Sequence, residues 1–486
     1  MQFARSAVGT TNTGLAIGIS MTPWQQHHPE RIALWLGDHR LTWLQLTCIV
    51  NHYAESLQRA GMTQGSVLTL VGKNHPETLF WLLAAMQKGI RCALTMPQPL
   101  TQLHKKLTSL YGSGQAWVWL APSAGLTSSV LLQQRPKTQL VTTSTESALK
   151  TPSGQLFYHA DQLATLIFTS GSTGDPKVVA HTHRQHFASA QGLLREFHFT
   201  QQDTWLLSLP LYHVSGLAIV YRWLHSGACL KMGNGNLAED VKGVSHASFV
   251  ATQLKRLLDS EQRLTLTHVL LGGGHVPHTL ACQAAERGID VWLGYGMTEA
   301  ASTVTAKRVD NTSSAGHVLD GRKIKLIDNR IYIGGDTLAS GYYHQGELSP
   351  LKDIQGWFDS KDLGYWQDNE LVIIGRADNQ FISGGENIHC EEIEAVLNRH
   401  PVIQQAFIIP VMDETFGARP VAIVQSEQPF SIEEGNAWCE SRLEKFKWPI
   451  HYLSMPEVLT SSGIKVSRQA LKHWLTEQYP QYVILK

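Results

Sequence analysis

Apolar positions along this chain change their period several times, and each change marks an element. Arg31-Ile-Ala-Leu-Trp-Leu36 and Leu41-Thr-Trp43 flank the turn Gly37-Asp38, a hairpin signal. The period then becomes helical: Leu46, Val50, Ala54 and Leu57 fall along one face, and Thr42 stands at the capping position. Residues 66–71 predict a strand, 76–88 a helix ending at Gly89, and 90–94 another strand. Repeated strand–helix–strand order predicts a layered α/β domain with parallel strand pairs. Residues 121–160 are rich in Ser, Thr, Gln and Pro and predict a loop-rich connection with short strands.

Regular patterning resumes with Leu163–Phe168, a short buried strand, and a helical stretch over 183–197. Residues 203–213 read as strand then turn. Val214–Leu224 is an almost wholly apolar helix interrupted by Arg222, and Ser215, Ile219 and Arg222 share one face by i, i+4, i+7 spacing. A guanidinium keeps its charge, so in an apolar wall it needs an anion. Two readings stand: a structural ion pair or helix end reaching solvent, or a pocket cation awaiting a substrate carboxylate. Leu270–His275 runs from a strand into a glycine turn (Gly272, Gly273, Gly274), and the strand from Val291 ends in Tyr295, Thr298 and Glu299. These last three offer an aromatic face, a hydroxyl and a carboxylate able to hold Mg²⁺.

Beyond the strand Glu370–Arg376 lie a glycine-rich loop at 381–388, a helix over Glu391–Arg399 with acidic residues in its first turn, and strands at 406–411 and 421–424. They predict a small α+β unit with its boundary near Ala377. The fold expected is α/β: a large multi-layer N-terminal domain (1–377) with mixed and parallel sheets, and a small α+β C-terminal domain (378–486). Length agrees, since 486 residues exceed one compact core.

The stretch with the most pointed chemistry is Thr169–Lys177, T-S-G-S-T-G-D-P-K, directly after the buried strand. Gly171 and Gly174 let backbone N–H groups approach a ligand. Thr169, Ser170, Ser172 and Thr173 add donors, and Lys177 adds a positive charge, together a phosphate-cradling loop. It is not a Walker A loop, because Pro176 precedes the lysine and Val178 follows it. His181, His183 and His186 lie close by; without a carboxylate or cysteine at supporting spacing they read as satisfied or surface histidines rather than a zinc site.

Composition narrows the partners. Apolar content of 43%, charged content of 16% and zero formal net charge describe an ordinary globular enzyme with no basic excess for nucleic acid or anionic membrane. Six scattered cysteines without a C-x-x-C pair suit reduced thiols in a cytoplasmic protein. There is no apolar run of membrane-spanning length, and residues 1–20 read as a partly disordered leader. Whether copies associate as a homo-oligomer is open at this level.

The ordered T-S-G-S-T-G-D-P-K string resembles the phosphate loop of the adenylate-forming superfamily of acyl-CoA ligases, peptide-synthetase adenylation domains and luciferases. Further motifs follow in family order: G-Y-G-M-T-E at 294–299, Asp362 in Ser360–Tyr365 with Arg376 beyond it, and Lys465 with Arg468 in Ser461–Arg468. The lysine motif carries one residue, Ile464, more than the usual pattern. The resemblance implies ATP, Mg²⁺ and coenzyme A as reactants, and a two-step reaction through an acyl adenylate. It implies that Asp362 and Arg376 hold the ribose, Glu299 the metal, and Lys465 the reacting carboxylate and α-phosphate. Thr298 and His213 are further catalytic candidates, Tyr295 and Gly272–Gly274 nucleotide contacts, and Asp378 the hinge on which the small domain rotates between half-reactions.

Ser208–Gly216, Tyr221–Leu224, His181–His183, Ala188–Gly192 and Gly463–Lys472 resemble the o-succinylbenzoate–CoA ligases of menaquinone biosynthesis in particular. That implies a dicarboxylic substrate with one carboxylate activated and the other anchored by Arg222 and Ser215. Alternatives are another aromatic or short-chain acid–CoA ligase, a stand-alone adenylation protein loading a carrier-protein thiol, or a luciferase-like oxygenase.

Overall fold

A computed structural model describes residues 19–484 except 136, 144–150, 153, 170–175, 261, 273–275, 277, 385, 427 and 461–465. Among the described residues two large mixed sheets dominate. In the eight-stranded sheet, Ala116–Leu120, Val67–Val71, Arg91–Thr95 and Leu163–Thr169 run parallel, and Lys177–Thr182 turns back antiparallel. In the nine-stranded sheet, Cys229–Met232, Thr204–Leu206, His246–Phe249, His268–Gly272 and Asp290–Met297 run parallel in that order.

One apolar cluster takes residues from both sheets and from the helices Trp43–Arg59, Pro76–Lys88, His183–Leu194 and Val214–Ser226. This is the layered arrangement that helices with one or more apolar faces are driven into. Thr42 caps its helix as expected, in a capping box with Gln45, and Leu46, Val50, Ala54 and Leu57 are all fully buried. The helix Pro76–Lys88 closes on Gly89 at φ 64°, a left-handed conformation that glycine adopts without a Cβ clash. Trp223 pins the helix Val214–Ser226: its indole stacks on Trp43 at 5.1 Å and donates to Ala33 O at 2.9 Å. That fixes the rotation of the helix and turns Arg222 away from this aromatic contact.

The stretch 121–160 is less loop-like than its composition predicts. It holds a helix, Ser128–Gln134, with Leu131 buried, besides the short strands Thr138–Leu140 and Phe157–His159. A seven-residue helix with one buried leucine leaves little periodicity to read. The helix expected over 183–197 ends at Leu194.

Among the described residues, no sheet contains strands from both sides of Ala377–Asn379. Beyond that turn, Ile403–Asp413 and Gly417–Ser426 pair antiparallel, longer than their apolar runs suggested. His451–Ser454 adds a parallel third strand that sequence patterning missed. The predicted glycine-rich loop is instead a hairpin of Gln380–Ser383 and Glu386–His389, with Gly384 at φ 61°. The helix Cys390–Leu397 buries Glu394, which accepts from Ile408 N at 2.7 Å and pairs with Arg468 at 2.7 Å. No helix among the described residues is long and apolar enough to cross a membrane.

Candidate active site

Several of the singled-out side chains converge where the parallel strands end. The strand Leu163–Thr169 delivers Thr169 opposite Lys177, its antiparallel partner. Ser170, Gly171, Ser172, Thr173 and Gly174 lie outside the described residues. The exposed Lys177 ammonium stands 5.6 Å over the Tyr342 ring, and the Tyr342 hydroxyl donates to Glu299 Oε1 at 3.4 Å. Burial pushes the Glu299 carboxyl up from its ordinary range, against the bond from Tyr342 and the charges of Arg376 and Lys177.

The G-Y-G-M-T-E strand needs its second glycine for a close approach: a Cβ at Gly296 would sit 1.8 Å from Ser302 O. The chain turns there through Thr298–Ala300, and Ala301 and Ser302 follow with φ of 52° and 93°. Two successive non-glycine residues in this region mark a backbone held in place by its surroundings. Ser189 supplies part of that hold, donating to Ala301 O at 2.5 Å. Gly272 ends its strand opposite Gly294; Gly273 and Gly274 lie outside the described residues, as does Lys465.

Tyr295, Asp362, Arg376 and Asp378 form one connected chain. Tyr295 donates to Asp362 Oδ2 at 2.6 Å, and Arg376 donates to Asp362 Oδ1 at 3.0 Å. The same guanidinium forks onto both oxygens of Asp378 at 2.8 and 2.9 Å. This fork, with Asp362, holds Arg376 above its ordinary pKa. Asp362 is buried, which pushes its carboxyl up although Tyr295 and Arg376 pull it down. Register places Asp362 and Arg376 as direct partners on neighbouring antiparallel strands, so the pairing follows from the sheet itself.

Arg222 contrasts with this network. It is 2% exposed, yet among the described residues no carboxylate lies within ion-pair distance. Its guanidinium lies 5.3 Å over the Trp205 ring and reaches Thr303 Oγ1 at 3.4 Å, while its Nε has no partner among the described residues. Burial and the charge of nearby Arg322 push it down to about 9. Arg322 is itself buried, but it donates to the carbonyls of Thr303, Ala188, Asp320 and Ser189 and to the Ser189 hydroxyl. Among the described residues, neither a structural ion pair nor a helix end reaching solvent accounts for Arg222. Ser215 is half-buried on the same helix face, above the fully buried Ile219, and His213 stands at the N-cap beside Tyr212.

The three neighbouring histidines are core residues, not surface ones. His183 Nδ1 meets Tyr221 OH at 2.8 Å and His186 Nε2 meets Thr165 Oγ1 at 2.7 Å. Burial pushes His181 and His183 down to about 3, so both are neutral at physiological pH. Among the described residues no group of three or more His, Cys, Asp or Glu is arranged to hold a metal ion.

Tyr342, Trp205, Thr303 and Arg322 were not found by reading the sequence. Each stands on a strand of the fold and carries no motif of its own.

Residues 22–343 match the AMP-binding enzyme family, and residues 392–465 match the AMP-binding enzyme C-terminal domain. The chain belongs to the AMP-binding enzyme family. Within that family it is 39% identical over 456 residues to a 2-succinylbenzoate–CoA ligase of Salmonella typhimurium, covering 93% of this chain and 97% of the relative. A solved arginine-to-lysine variant of E. coli MenE with bound OSB-AMS has a TM-score of 0.83 and 36% identity, covering 96% of this chain and all of that one. The o-succinylbenzoate CoA synthetase (MenE) of Bacillus subtilis in complex with the acyl-adenylate intermediate OSB-AMP has a TM-score of 0.82 and 27% identity, covering 93% and 98%. The same Bacillus protein has been solved with ATP and magnesium ion at a TM-score of 0.80 and 26% identity, covering 90% and 96%.

Proposed function

We propose that this AMP-binding enzyme is an ATP-dependent o-succinylbenzoate–CoA ligase, which activates its acid as an acyl adenylate and transfers the acyl group to coenzyme A. Its relatives carry that activity by name over nearly their whole length. The single observation in this chain that carries the substrate is Arg222. Among the described residues, this buried guanidinium has a threonine hydroxyl and an indole face for company and lacks the anion that its burial demands. A second substrate carboxylate supplies it, with Ser215 as a neighbouring donor. A fatty acid leaves the charge unmet, and a site built around a charge rejects ligands that lack it.

On the nucleotide side, Asp362 and Arg376 present an acceptor and a donor to the ribose hydroxyls, and Tyr295 orients the Asp362 carboxylate. Glu299 suits a magnesium ion: its carboxylate takes a long bond from Tyr342 and keeps oxygen lone pairs for a hard cation. Bound there, magnesium supplies charge neutralisation on the phosphates. Lys177 and the loop before it take the β- and γ-phosphates. Lys465 bridges the attacking carboxylate and the α-phosphate as negative charge builds between them; pyrophosphate leaves, and the thiol of coenzyme A then displaces AMP. Residues 378–486 act as a small mobile domain turning on Asp378, which brings Lys465 in for the first step and removes it for the second. The protein works in the cytoplasm, consistent with its six free cysteines.

The test is pyrophosphate release with Mg-ATP against o-succinylbenzoate, benzoate, a medium-chain fatty acid and amino acids, each with and without coenzyme A. Turnover confined to o-succinylbenzoate with a thioester product is expected. Turnover with an amino acid and no need for coenzyme A would instead make the protein a carrier-loading enzyme.

A further inference from the structure

The helix Leu100–Tyr111 carries a lysine that nothing above uses. Lys106 donates from Nζ to Thr95 Oγ1 at 2.7 Å and stands 4.8 Å from the centre of the Phe168 ring. Gln98 donates to the same hydroxyl at 2.9 Å. Thr95 is the last residue of its strand and Phe168 the last but one of the next. The two strands are parallel neighbours, with Leu94 beside Ile167. The ammonium therefore sits at the C-terminal edge of the sheet, two residues of chain before Ser170. Among the described residues no carboxylate lies within ion-pair distance of it. Lys177 flanks the end of the same strand through its pairing with Thr169. Burial pushes Lys106 down to about 8, the direction expected of an amine that has lost water without gaining a counter-charge.

We propose that Lys106 is a second phosphate-binding cation. It exchanges its bond to Thr95 for an oxygen of the terminal phosphates of ATP, and of the pyrophosphate that leaves. This rests on the phosphate role of residues 169–177. A half-buried lysine held, among the described residues, by a hydroxyl and a ring face is poised to trade a neutral hydrogen bond for a charge-assisted one.

The test compares wild type with Lys106→Met, Lys106→Gln, Lys106→Arg and Lys177→Met. KM for ATP, KM for the acid and product inhibition by pyrophosphate are measured from about pH 6.5 to about pH 9.5, a span bracketing the amine's titration. Lys106→Met is expected to raise KM for ATP and the inhibition constant for pyrophosphate about tenfold each, the loss of one charge-assisted bond. Lys106→Gln, which keeps a donor for Thr95 but no charge, is expected to do the same. Lys106→Arg should keep both constants near wild type. In wild type, kcat/KM for ATP should fall as pH rises through about 8, where the amine loses its proton; in Lys106→Arg that fall should be absent. Folded Lys106→Gln with both constants within about twofold of wild type would overturn the proposal, as would Lys106→Arg failing as badly as Lys106→Met. If Lys177→Met also left both constants unchanged, the phosphate role of the loop itself would be wrong and this inference would fall with it.

Discussion

Arg222 carries a permanent charge in the core and Arg376 carries one on a side chain that is 41% exposed, and the protein treats the two in opposite ways. Arg376 is met by Asp362 and by both oxygens of Asp378, and those partners raise its pKa. Arg222 is met by one threonine hydroxyl at 3.4 Å and an indole face, and it is pushed down to about 9. A charge already paired in the resting protein can exchange partners at modest cost, which suits the nucleotide and hinge roles proposed for Arg376 and Asp378. A charge left unpaired in a dry wall is costly until a ligand brings the missing anion, which suits discrimination between acids. Arg322 shows that burial alone does not decide the matter. It is buried as well, but four backbone carbonyls saturate it, so it stabilises the wall and asks nothing of a ligand.

Neither arginine carries the chemical step in this reading, and the largest expected loss lies elsewhere. Lys465→Ala should lower adenylation by roughly 10²- to 10³-fold, measured as ATP–pyrophosphate exchange, while thioester formation from supplied acyl adenylate survives. Equal losses in both half-reactions would erase the distinction between a chemical cation and an anchoring one. Arg222→Ala comes next: KM for the dicarboxylic acid should rise about 10²-fold, with KM for ATP moving less than about twofold. If both constants rose together, Arg222 would be a structural arginine like Arg322. On the paired side, Asp378→Pro should leave adenylation nearly intact and slow thioester formation about tenfold in single-turnover experiments. A variant impaired in neither step would remove Asp378 from the hinge.

The smallest effect concerns Glu299. Burial raises its pKa, so its ionised fraction shrinks as pH falls through a value above the ordinary carboxylate pKa of about 4.3. kcat/KM for Mg-ATP should therefore decline on that acid limb, and added Mg²⁺ should move the limb to lower pH, because the metal binds the ionised form. A limb indifferent to Mg²⁺ would assign the titration to another group and leave the rim without its metal ligand.

Much of this was legible from local pattern. The caps at Thr42 and Gly89, the parallel strands and the helix that carries Arg222 all follow from spacing over a few residues. So does the gathering of Tyr295 and Glu299 on one strand end. Weakly periodic segments were not legible: Ser128–Gln134 buries only Leu131, and His451–Ser454 is recruited as a strand by pairing with Val421–Val424.

The sequence by itself therefore determined which residues could do the chemistry: the hydroxyl- and glycine-rich loop, the carboxylate after G-Y-G-M-T, the aspartate and arginine of the rim, and one arginine on an apolar helix. Only the tertiary structure decided what each of them meets. Asp362 finds Tyr295 from 67 residues away, Arg222 finds Thr303 from 81 residues away, and Lys106 comes to rest beside the strand that leads into the phosphate loop. The physical reason is that residue type sets charge and hydrogen-bonding capacity, whereas burial and the distance to a counter-charge exist only once distant strands are packed together.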